Sequence, residues 1–99
     1  MTSAVRGGAP GGGKSDPRAL LDGWDASAAA KPQKRSLTIS GHRTSISLEA
    51  PFWEGLREVA RQKNVSVAAL VAAIDAVRGN VSLSTATRLF LYSRLVERI

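Results

Sequence analysis

Two short stretches of this chain have the residue types and spacing for recognisable chemistry. The first is GAPGGGKS, residues 8–15, which matches the phosphate-cradling pattern G-x-x-x-x-G-K-[ST]. In a nucleotide-binding loop, the backbone N–H groups surround the phosphates and the lysine reaches the outer ones. The second is HRTSISLE, residues 42–49. Here Arg43, Ser45 and Ser47 alternate with Thr44, Ile46 and Leu48. On a strand this puts one guanidinium and two small hydroxyls on a single face, and all three can hydrogen-bond base edges in a DNA groove.

Context decides between them. A working phosphate loop follows a buried strand and opens a helix inside a parallel sheet. Seven residues precede Gly8, MTSAVRG, and they do not read as a strand. Asp16-Pro17 follows Ser15, and a residue before proline is pushed out of the helical region. GGGKS therefore reads as low-complexity sequence with Lys14 as a mobile charge, and a nucleotide hydrolase is not expected. Metal or thiol chemistry is not expected either. The chain has no cysteine, and His42, its single histidine, has no carboxylate cluster around it. No cofactor is expected, and the protein reads as a non-enzyme.

The 99 residues allow at most one domain. They carry 14 Lys and Arg against 8 Asp and Glu, a net charge of +6, which favours a polyanionic partner. No apolar run approaches the roughly 20 residues of a membrane span, and no secretory leader is evident, so a cytoplasmic location is expected.

Composition divides the chain. Residues 1–35 hold most of the glycines and three of the four prolines. Their apolar residues are mostly alanine, which is too little to offset chain entropy, so this part reads as a disordered basic arm. Within it, residues 17–30 form at most a marginal helix, in which Leu20, Leu21 and Trp24 make a candidate docking motif. Residues 36–99 are rich in Val, Leu, Ile and Ala and read as the folded domain.

That domain begins with the strand His42–Glu49. A first helix follows in APFWEGLREVARQKN, with Pro51 near its start and an apolar stripe of Phe52, Leu56, Val59 and Ala60. Trp53 flanks the stripe as a core or interface residue, and Asn64 suits a left-handed C-cap. Ser66 caps the second helix, whose stripe is Val67, Leu70, Val71, Ile74 and Val77, with alanines over much of the rest. Ser82 or Ser84 caps a third helix, on which Arg88, Arg94 and Arg98 read as a solvated face.

A lone strand cannot satisfy its own backbone. Two pairings are open. In the more economical one, the same strand from two copies pairs antiparallel in an intertwined homodimer, giving an intermolecular two-stranded ribbon. In the rival, Ser36–Ser40 folds back on residues 43–47 through a Gly41-His42 turn, with Leu37 opposite Ile46 and Ile39 opposite Thr44. The expected class is mainly α with one short β-strand, followed by three helices.

This order, carried by HRTSISLEAPFWEGLREVA and NVSVAALVAAI, resembles the bacterial ribbon-helix-helix DNA-binding proteins of the Arc and MetJ type. More narrowly, RSLTISGHRTSISLE, the Phe-Trp pair and RGNVSLSTATRLF resemble a group of single-domain alphaproteobacterial proteins. The resemblance spans Lys34 to Ile99. It implies a dimeric transcriptional regulator whose ribbon enters the major groove of double-stranded DNA, associated with the nucleoid when bound. Carried over by position, Arg43, Ser45 and Ser47 would contact bases, while Ser66 and Val67 at a helix N-terminus, with Lys34 and Arg35, would contact phosphates. The alternative is an antitoxin-like or adaptor dimer that captures a protein through residues 17–30 or the helix at 84–98.

Overall fold

The computed structural model describes residues 16–97. The GGGKS stretch, Lys14 and the rest of residues 1–15 lie outside the described residues, as does Arg98.

The ribbon differs from the expectation, and the reason is local. Residue pairs Ser40 and Gly41 both take left-handed backbone, with φ of 52° and 83°. Two consecutive left-handed residues make the two-residue turn whose twist matches that of paired strands. It joins β1 (Pro32–Ile39) to β2 (His42–Glu49) in an antiparallel hairpin. The chain therefore has two eight-residue strands, not one short strand, and one edge of β2 is paired within its own chain. The register also differs from that of the rival hairpin. Leu37 faces Thr44 and Ile39 faces His42, while Ile46 faces Arg35. The turn sits at Ser40-Gly41, one position before Gly41-His42, and this moves each pairing by two residues. A two-residue shift keeps every side chain on its face, so the apolar phase survives.

β1 begins at Pro32, so four residues assigned to the arm belong to the sheet. Before it, Pro17–Leu21 forms a 3-10 turn capped by Asp16, and α1 (Ala26–Ala29) forms one helical turn capped by Asp25. Neither buries a residue. Gly23, at φ 79°, separates them, where a single marginal helix was expected over 17–30.

Three helices follow: α2 (Ala50–Lys63), α3 (Val67–Val77) and α4 (Leu83–Glu97). Their ends obey the sequence. Asn64 is left-handed at φ 59° and ends α2. Ser66 Oγ accepts from the Ala69 N–H and opens α3. Ser82 opens α4, accepting from the Thr85 N–H at 3.2 Å, while Ser84 lies inside the helix.

The core lies between one face of the ribbon and the helices. It comprises Ile39, Ile46 and Leu48 from the ribbon, Trp53 and Leu56 from α2, and Val71 and Ile74 from α3, with Phe90 and Leu91 of α4 packed against them. Leu48, Leu56 and Val71 are fully buried, each burial stabilising by about 1.5–3 kcal/mol. Trp53, expected to flank the α2 stripe, lies at its centre and is 1% exposed. Its indole N–H donates to the Gln33 carbonyl at 2.9 Å, which pins α2 to β1. Helix α2 meets α4 at Gly55, where a Cβ would stand 3.5 Å from the Leu91 side chain, an ordinary packing distance.

Candidate nucleic-acid interface

Strand alternation sorts the hairpin into two faces. Ile39, Ile46 and Leu48 point to the core. On the opposite face the cross-strand pairs are Lys34 with Ser47, Ser36 with Ser45, and Thr38 with Arg43. All six side chains are exposed. The Ser36 and Ser45 hydroxyls stand 3.4 Å apart across the strands. The face thus carries two cations and four hydroxyls over three rungs. Its carboxylate, Glu49, lies at the base of the ribbon and is turned into an ion pair with Arg88.

Arg43, Ser45, Ser47 and Lys34 are therefore brought onto one surface. Ser36 and Thr38 join them. Sequence reasoning missed these two because it left open whether their segment pairs with β2 at all. Arg35 does not join them. It was expected beside Lys34 as a phosphate contact, but the alternation turns it to the other side of the ribbon, opposite Ile46. There its guanidinium lies 4.9 Å from the Trp53 ring centroid and donates to Gln33 Oε1. Ser66 and Val67 sit at the α2–α3 junction rather than on the ribbon; Ser66 is exposed and Val67 half-buried against the core. His42 is exposed at the first position after the turn.

The base of the ribbon is braced by α4. Arg88 donates to both Glu49 carboxylate oxygens, at 3.0 and 3.2 Å, and its guanidinium lies over the Phe52 ring. Arg88 is thus only partly solvated, and it is a structural link rather than one of a free row of arginines. The hydrogen bonds from Arg88 hold the Glu49 carboxyl below the ordinary carboxylate range. Ser84 Oγ donates to the Ser47 carbonyl at 3.2 Å and covers that point on the outer edge of β2. Arg94 is paired with Glu97. Among the described residues, no cluster of His, Asp and Glu is placed to hold a metal ion. No helix among them is long and apolar enough to cross a membrane.

A ribbon followed by helices is also what a family model describes. The model for the ribbon-helix-helix domain matches residues 32–95. The chain belongs to the ribbon-helix-helix domain family. Members of this family are generally non-enzymatic, DNA-binding transcriptional regulators or antitoxins. The match begins at the first residue of β1 and runs nearly to the end of α4, so the third helix lies inside the family domain. Among solved structures, an uncharacterized protein from Bordetella pertussis Tohama I is similar, with a TM-score of 0.66. It is 22% identical, and the alignment covers 83% of this chain and 70% of that one. At that identity the likeness concerns the fold. No curated protein matches the chain.

Proposed function

We propose that this ribbon-helix-helix protein is a transcriptional regulator that lays the polar face of its hairpin in the major groove of double-stranded DNA and acts as a homodimer in the cytoplasm, on the nucleoid. The observation that carries this reading is the single exposed face bearing Lys34, Ser36, Thr38, Arg43, Ser45 and Ser47 on a ribbon two strands wide. The major groove admits a ribbon of that width. Arg43 is the side chain that can pair bidentately with a guanine edge; Ser45 and Ser47 serve as shorter base contacts. Lys34 is assigned to phosphates, and the N-terminal turn of α3 at Ser66 and Val67 to a phosphate oxygen.

The test is binding to DNA fragments selected from a random pool, followed by the Arg43→Ala variant on the best site. Affinity for that site is expected to fall about tenfold or more, with the preference at one base position flattened. Equal binding by parent and variant would remove Arg43 and the groove assignment with it.

A second reading is favoured by one observation. Leu20, Leu21 and Trp24 are 85%, 56% and 63% exposed ahead of the ribbon. They suit capture of a protein partner by an antitoxin-like or adaptor dimer. Under this reading, deleting residues 1–30 abolishes capture and leaves DNA affinity largely intact. Undiminished capture by the truncated chain excludes residues 17–30 as the capturing segment.

A further inference from the structure

Residues 16–30 are set apart by charge and by burial. Asp16, Asp22 and Asp25 stand against Arg18, so the segment is acidic within a chain of net charge +6. The 3-10 turn and α1 bury no residue, and Leu20, Leu21 and Trp24 are left 85%, 56% and 63% exposed. Three large apolar side chains within five residues gain by meeting apolar surface.

Such surface adjoins them. Trp24 lines a groove of about 390 Å3 together with Ala29 of α1 and with Pro51 and Phe52 at the start of α2. The same Pro51 and Phe52 line a second groove, of about 550 Å3, whose α4 wall is Arg88, Leu89, Tyr92 and Leu95. Tyr92 and Leu95 are 65% and 56% exposed there. The two grooves are therefore continuous over Pro51 and Phe52, and Trp24 stands at the edge of the pair.

The tether is long enough and can bend. Leu21 is three residues from Trp24, and three extended residues span about 10 Å. Gly23 lies between them at φ 79°, with nothing within 4 Å of where a Cβ would stand. Charge favours the same movement. Asp22, also between Leu21 and Trp24, has no ion-pair partner among the described residues. Arg88, on the groove wall, donates to Glu49 through Nε and Nη2. Its Nη1 has no hydrogen bond among the described residues and can take a second carboxylate.

We infer that residues 17–24 form a strap that closes over the α2–α4 groove of their own chain, turning about Gly23, seating Leu20 and Leu21 against Phe52, Tyr92 and Leu95, and carrying Asp22 toward Arg88. Closure hides the three apolar side chains from any other protein. It is thus a brake on capture through residues 17–30, where that reading of function holds; the closure itself requires neither reading.

The test uses the full chain. With leucine methyl groups isotope-labelled, the Leu20 and Leu21 methyls are expected to show nuclear Overhauser contacts to the Phe52 and Tyr92 rings. In an equal mixture of labelled and unlabelled chains, filtered for contacts between chains, those contacts are expected to vanish. Because the chain lacks cysteine, a thiol pair gives a second measurement. On mild oxidation, Leu21→Cys with Leu95→Cys should close a disulfide within one chain at least about tenfold faster than Leu21→Cys with Ser45→Cys, because docking raises the effective concentration of the first pair alone. Leu20 and Leu21 methyls that touch neither ring, contacts found only between chains, a first pair that links only chain to chain, or equal linking of the two pairs overturns the inference. If the strap closes and deletion of residues 1–30 leaves protein capture undiminished, the strap stands and capture through residues 17–30 falls.

Discussion

Single side chains decide how firmly the ribbon is held. Thr87 of α4 is fully buried, and its hydroxyl has no hydrogen-bond partner among the described residues. A buried hydroxyl left unpaired costs about 1–3 kcal/mol relative to one that is satisfied. Thr87→Val keeps the shape and removes the unmet group, so it is expected to raise stability by about 1 kcal/mol in urea unfolding. Glu49 acts in the opposite direction, since its carboxylate is the anchor for Arg88. Its folded pKa lies below its ordinary value of 4.5. The stabilisation it contributes is therefore complete at neutral pH, above that ordinary value, and is lost as the pH falls through the lower folded value. Glu49→Gln is expected to melt below the parent at pH 7, and the gap should close as the pH is lowered beneath about 4.5. A gap that persists at pH 2 would mean that packing, not charge, accounts for the effect.

At the level of elements, the hairpin depends on its turn. Ser40-Gly41 requires two left-handed residues, which a β-carbon at the second position penalises by about 1–2 kcal/mol. Gly41→Ala is expected to lower stability by roughly that amount, measured by thermal melting. Ser40→Asn, which suits the same backbone better, is expected to leave stability unchanged or slightly raised. The strand period of HRTSISLE and the helix ends at Asn64 and Ser66 were legible because each rests on neighbouring residues alone, and the start of α4 was narrowed to Ser82 or Ser84. The partner of β2 was not. Ser36–Ser40 could be phased against it in more than one register with the same apolar face, and only the turn geometry chooses among them. Arg35 is placed by alternation instead: it shares the parity of Leu37 and Ile39, so once β1 extends back to Pro32 it lies on their side of the ribbon in either register.

At the scale of the whole molecule, charge and shape together set the DNA interaction. A dimer that presents Lys34 from each copy to a phosphate neutralises about two phosphates with these side chains, while Arg43 reads base edges. Its affinity is then expected to fall at least about tenfold between about 50 and 200 mM salt, from a slope close to 0.9 per neutralised phosphate. A titration of affinity against salt checks this; a flat response would place the contacts elsewhere. The net charge of +6 pointed to such a partner but could not locate it, because the basic residues are spread along the whole chain.

What the amino-acid order determined alone is what depends on neighbours a few residues apart: the alternation that places Arg43, Ser45 and Ser47 on one face, the helix boundaries at Asn64 and Ser66, and the α3 stripe from Val67 to Ile74, whereas Val77, expected in that stripe, is 83% exposed. Tertiary structure decided what depends on residues distant in the chain. It chose the partner of β2, added Ser36 and Thr38 to the polar face, turned Arg35 onto Trp53, drew Arg88 to Glu49 across 39 positions, and left Leu89, Tyr92 and Val96 of α4 facing outward. Periodicity marks a side chain's face on its own element. What that face meets depends on how the elements pack, and for α4, apolar on both its inner and its outer side, the pattern alone could not say which one the core would cover.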